Sequence, residues 1–105
     1  MVKKTNKIIK TVNRYLELLM ASGINIKAAY MFGSTARNSA NPDSDIDVAI
    51  VSPNVTGNPE KDTKMFWRMT RLVDSRIEPV YFSPDEFLDF IPLVWEIKNN
   101  GIRVY

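Results

Sequence analysis

The chain has 105 residues, 45% of them hydrophobic and 25% charged, with a formal net charge of +2. It contains no cysteine and no histidine, which excludes disulfides, thiolate metal sites, imidazole acid–base catalysis and histidine-ligated zinc within it. The length suits one domain over residues 1–105, large enough to bury roughly two-thirds of its unfolded surface.

Any metal chemistry must use oxygen ligands, which favours magnesium, manganese or calcium. No apolar run approaches the ~20 residues of a membrane span. Met1 to Lys10 is basic without a following apolar block, so no signal peptide is expected, and a cytoplasmic location fits the lack of cysteine. The small net charge gives no reason to expect direct nucleic-acid binding.

The first segment, Thr5 to Ser22, reads as a helix because Ile8, Val12, Tyr15, Leu16 and Leu19 recur at helical spacing. Thr5 suits its N-cap, and Gly23 suits the position past its end. Ile26 to Phe32 is apolar throughout and predicts a strand buried on both faces. Gly33 to Ala36 would begin a short helix, and the polar stretch Asn38 to Ser44 reads as a turn.

Asp45 to Val51 predicts a second strand, and Pro53 to Pro59 a loop. Glu60 to Ser75 predicts a second long helix with Met65, Phe66, Met69, Leu72 and Val73 on one face. Arg76 to Phe82 is a third strand. Ser83-Pro84-Asp85-Glu86 has the N-cap, proline and acidic first turn of a short helix. Pro92 to Asn99 reads as helical, closed by Asn100-Gly101, and Ile102 to Tyr105 as a last strand. The order α-β-α-β-α-β-α-α-β is an α/β (α+β) mixture.

Two features carry chemistry. Asp45 and Asp47 lie two apart on a strand, so they project to one face while Ile46 and Val48 point the other way. Two carboxylates at ~4 Å repel by ~1 kcal/mol in water and ~4 kcal/mol at an effective dielectric of 20. A fold that gathers them needs a cation, a proton or solvent, although many Asp-x-Asp pairs are simply solvated. Glu78 sits in a strand-like run and would complete a three-carboxylate cluster if its strand lay beside that of Asp45. A pair with Arg76 or a helix lysine is the alternative. Gly33 permits close backbone approach to a ligand, and Ser34 offers a hydroxyl and an N–H at a helix start, where phosphate is attracted. Arg37, a turn later, could meet phosphate oxygens. A plain strand-to-helix turn with Ser34 as N-cap accounts for the same residues.

The run Gly33-Ser34-Thr35-Ala36-Arg37, followed by Ser44-Asp45-Ile46-Asp47-Val48, resembles the signature of the polymerase-β-like nucleotidyltransferase superfamily, and most of all its minimal nucleotidyltransferase (MNT) group. The resemblance covers nearly the whole chain. It implies a small mixed β-sheet flanked by helices, with two Mg2+ ions on Asp45, Asp47 and Glu78. A nucleoside triphosphate, ATP by analogy, would be bound by Gly33, Ser34, Arg37 and Ser44. It also implies transfer of a nucleoside monophosphate to an acceptor hydroxyl with release of pyrophosphate. Asn38 stands where the family commonly has glycine, and Glu78 where small members often have aspartate.

MNT proteins resembling this one often pair with a helical HEPN protein as antitoxin to its ribonuclease toxin, and the short chain leaves little room for an acceptor-binding domain. Both make a partner-protein acceptor the first expectation. A catalytically inactive module that masks a partner, and transfer to a small molecule, are the alternatives. Lys3, Lys7, Lys10 and Arg14 align at helical spacing, as do Lys61, Lys64, Arg68 and Arg71; both stripes read first as solvated faces, with RNA, an acidic partner or a nucleotide's phosphates as the alternatives. Trp67 and Trp95 read as core or rim packing. If exposed, they would point to an oligomer or a partner interface.

Overall fold

The computed structural model describes residues 2–36 and 44–105. Helix α1 (Val2–Ala21) is followed by β1 (Ala28–Phe32), β2 (Ile46–Val51), α2 (Pro59–Trp67), α3 (Thr70–Val73) and β3 (Ile77–Phe82). A 3-10 turn (Pro84–Glu86), α4 (Pro92–Asn100) and β4 (Ile102–Arg103) complete the described elements. The four strands form one mixed sheet in the order β3-β2-β1-β4. β1 runs antiparallel to both β2 and β4, while β2 and β3 are parallel. Among the described residues no helix is long and apolar enough to cross a membrane.

The sheet separates two packing layers. Val12, Tyr15, Leu16 and Leu19 of α1 are buried against Ala29, Met31, Ile46, Val48, Ile50 and Ile77. Phe66 of α2 joins this core, with its ring stacked on Tyr81 of β3 at 4.5 Å between centroids. Among the described residues seventeen apolar side chains are buried, and such burial supplies the dominant favourable term in folding. On the other face the ring of Phe87 lies against Tyr30 and Phe82, and α4 packs on β1 with Val94 and Ile97 buried.

Several sequence expectations shift. The α1 helix starts at Val2, so Thr5 lies inside it rather than at its cap. β1 begins at Ala28, and only alternate residues of it are fully buried. Ile24 and Ile26 are buried in the approach to the strand, where Asn25 donates its N–H to Asn54 Oδ1. Residues 33–36 form a turn instead of a helix, and Thr35 donates its hydroxyl to the Phe32 carbonyl. Ser83 to Glu86 makes a 3-10 turn closed by Glu86 Oε1, which accepts from the Ser83 N–H and hydroxyl.

The long helix over 60–75 is divided into α2 and α3. Its start is set by Asn58, whose side chain accepts from the Glu60 and Lys61 N–H groups, with Pro59 at the first helical position. Its division has two visible causes. Tyr15 donates its buried hydroxyl to the Phe66 carbonyl, and Thr70 donates its own to the Trp67 carbonyl at 2.8 Å. Two successive carbonyls are thereby engaged by side chains at the point where the backbone ladder changes register. The break leaves Leu72 71% exposed, although the helical spacing had placed it inward.

The loop before α2 is held from within. Asp62, almost fully buried, accepts from the Thr56 N–H (2.9 Å), the Thr56 hydroxyl (2.8 Å) and the Gly57 N–H (3.0 Å). Burial pushes its carboxyl up, but these three donors outweigh burial and hold it below the ordinary value.

Candidate active site

The C-terminal end of β1 and the N-terminal ends of β2 and β3 meet at one end of the sheet. The register pairs Phe32 with Asp47 and Asp47 with Glu78, so the three residues form a row across adjacent strands. Neighbouring strands lie about 4.8 Å apart, which brings Asp47 and Glu78 side by side on one face. Asp45, two residues before Asp47, is directed to that same face and is exposed, whereas Asp47 and Glu78 are half-buried.

The electrostatics follow from this crowding. The Glu78 carboxyl hydrogen-bonds with Asp45, and this bond, with burial and the charges of Asp45 and Asp47, raises it above its ordinary value. Asp47 is raised too, first by burial and then by the charge of Asp45. Glu78 is engaged with Asp45 and not with Arg76, whose guanidinium binds Asp74 at 2.8 Å. That pair holds the Asp74 carboxyl below its ordinary value, with the Arg76 hydrogen bond the largest cause.

Gly33 closes the site. Its φ is +75°, the left-handed region, and a Cβ there would collide with Asp47 Oδ2. The backbone therefore passes directly over the carboxylate, an approach open only to glycine. Ser34 and Ser44 flank the row, both half-buried. Because 33–36 is a turn, the N–H groups near Ser34 belong to that turn and not to a helix N-terminus. Arg37 and Asn38 lie outside the described residues.

The structure thus brings Gly33, Asp45, Asp47 and Glu78 together. An aromatic cluster not singled out from the sequence lies on the same face, further along the strands from the acids. Tyr30, Phe82 and Phe87 sit on the acid-bearing face, with Lys98 over the Phe87 ring at 5.0 Å and Arg103 over Tyr30 at 5.8 Å. The alternation of Tyr30 with Ala29 and Met31, and of Phe82 with Tyr81, was the available signal.

A mixed sheet carrying an acidic row beside a Gly-Ser turn defines a phosphate-handling class. A family model, the nucleotidyltransferase domain, matches residues 6–100. The chain belongs to that family, as a minimal member of the nucleotidyltransferase superfamily, and is a transferase by that membership. The fold is similar to the crystal structure of a Sulfolobus solfataricus protein assigned as a nucleotidyltransferase. The TM-score is 0.69 and the identity 18%, over 97% of this chain and 83% of that one. No protein with a curated description matches the sequence.

The family typically uses a divalent metal. The donors present suit one, being all oxygen and including two half-buried carboxyls whose ionisation is opposed by like charge, a condition a cation relieves. Among the described residues no three acidic side chains are drawn closely enough to hold an ion as they stand.

Proposed function

We propose that the chain transfers a nucleoside monophosphate, AMP from ATP, to an acceptor hydroxyl and releases pyrophosphate. The observation that carries this reading is the row of Asp47 and Glu78, with Asp45 on the same face, under the Gly33 backbone. Asp45, Asp47 and Glu78 are the residues that would hold two Mg2+ ions. When bound, these would offset phosphate charge and make the acceptor hydroxyl easier to deprotonate.

The chain's own groups do the rest. Gly33, lacking a side chain, lets the triphosphate approach the acidic row, with Ser34, Ser44 and Arg37 as its further contacts. The acceptor oxygen bonds to the α-phosphorus as the bond to the pyrophosphate oxygen breaks. The hydroxyl proton passes to a carboxylate of the cluster, for which Glu78 is our assignment.

The acceptor is a hydroxyl on a partner protein of the HEPN kind, with this chain as its cytoplasmic antitoxin. An exposed apolar stretch supports a protein partner. Phe90 is 82% and Trp95 53% exposed, and Leu88 and Leu93 are also open to solvent.

A second reading, a non-catalytic module that masks its partner, is favoured by the absence of a ready-gathered three-acid set among the described residues. Titration of Mg-ATP by calorimetry, followed by transfer of labelled nucleotide to a co-expressed partner, separates the two. Transfer that disappears in Asp45→Ala/Asp47→Ala supports the transferase. A partner complex with no transfer, and no heat from Mg-ATP, overturns it.

A further inference from the structure

The helical layer on the sheet face opposite the acids carries a second surface of different character. From Thr63 to Val73 the sequence has no acidic residue. Lys64, Trp67, Arg68 and Arg71 fall at i, i+3, i+4 and i+7, on the outer face of α2 and α3, while Phe66 and Thr70 point inward. All four outer side chains are exposed, Trp67 by 39%. The three cations form no ion pair with any described residue.

These side chains line clefts. One of about 320 Å3 is bounded by Lys64, Trp67, Arg68 and Arg71, with Thr63 and Thr70. A second of about 290 Å3 shares Lys64 and Arg68 and continues to Ser22 and Asn54. The Lys64–Arg68 ridge is common to both and forms a basic track with a cleft along each flank, each near the ~300 Å3 at which small-ligand clefts begin. Of the nearby acids, Glu60 is exposed one turn before Lys64, at the start of α2, and two others are withdrawn. Asp62 is turned inward to Thr56 and Gly57, and Asp74 is held by Arg76. Arg68 and Met69 keep right-handed helical dihedrals across the α2/α3 break, so the outer residues stay on one side.

We propose that this track binds single-stranded nucleic acid, separately from the acidic row. Regularly spaced cations with no acid between them suit a run of phosphates, and the exposed indole of Trp67 offers a face on which a base stacks. An acidic peptide would satisfy the cations but would make no use of an indole set between them. Asn54 and Ser22 add neutral polar groups in the second cleft, suited to sugar or base edges. The modest net charge of +2 conceals the track because the acids lie elsewhere.

The test uses oligo-uridylate and oligo-thymidylate of about twelve nucleotides. Binding is followed by anisotropy, and by Trp67 emission in a Trp95→Phe background, where Trp67 is the remaining tryptophan. Micromolar binding that quenches Trp67 is expected, with either sugar. Affinity should fall with salt, and the log–log slope should shrink by about 2 in Lys64→Ala/Arg68→Ala/Arg71→Ala, at roughly 0.7 per phosphate contact. Trp67→Ala should weaken binding about tenfold and leave that slope unchanged. These positions are exposed, and helical circular dichroism confirms that the variants fold. The assignment is overturned by no binding at about 100 μM oligonucleotide in low salt. It is equally overturned by variants that bind like the parent, or by poly-glutamate competing as well as the oligonucleotide.

Discussion

Replacing Gly33 with alanine tests the link between the turn and the acidic row. Two costs are expected. A non-glycine residue in the left-handed region costs about 1–2 kcal/mol, and Gly33 has φ +75°. The new Cβ also meets Asp47 Oδ2, so the carboxylate must leave its rotamer at a further cost of about 0.5–1.5 kcal/mol. Gly57 is the internal control, because its φ is +84° but nothing lies within 4 Å of an added Cβ. Gly57→Ala should therefore carry only the backbone cost. At about 4–8 °C per kcal/mol for a domain near this size, Gly33→Ala should melt roughly 5 °C below Gly57→Ala in thermal unfolding followed by circular dichroism. Gly33→Ala should also lose nucleotide transfer, which Gly57→Ala keeps. Made in an Asp47→Ala background, Gly33→Ala should cost only what Gly57→Ala costs, since the colliding carboxylate is gone. If the cost of Gly33→Ala is the same with and without the Asp47 side chain, the packing argument is wrong.

Asp62→Asn should lose about 2–3 kcal/mol in denaturant titration, because an amide cannot accept from both Thr56 and Gly57 on its two ends. The folded-state carboxyl of Asp62 is depressed. Its contribution is therefore complete above the unfolded value of about 3.9 and disappears as pH falls through the lower folded value. Asp62→Asn should flatten that acid limb, and an unchanged limb would count against this origin. Tyr15→Phe should lower stability by about 1–3 kcal/mol by leaving the Phe66 carbonyl without its donor, and an unshifted denaturation midpoint would contradict it.

Much of this molecule was legible because its information is local. The apolar spacing of Val12, Tyr15, Leu16 and Leu19 marks the buried face of α1. Strand parity alone put Asp45 and Asp47 on one face. The juxtaposition of Asp47 with Glu78 needed the strand order, which no local pattern encodes. The α2/α3 break was hidden because one of its causes is Tyr15, 51 residues before Phe66 in the chain. Leu72 was misplaced for the same reason. The turn at 33–36 was read as a helix start because glycine and serine fit both. Helical spacing showed that Lys64, Arg68 and Arg71 align, but not that neighbouring residues wall clefts beside them.

Pro79 sits in β3, at an edge of the sheet. Ile46 and Ser52 of the β2 side donate to the carbonyls of Arg76 and Phe82, so the even-numbered residues of β3 face β2 and the odd-numbered ones face outward. An incoming strand would look for a donor at position 79 and find a pyrrolidine ring. This margin of the sheet is thereby guarded against edge-to-edge polymerisation and against recognition by strand addition. Whatever binds this protein along that side must grip side chains, not its backbone.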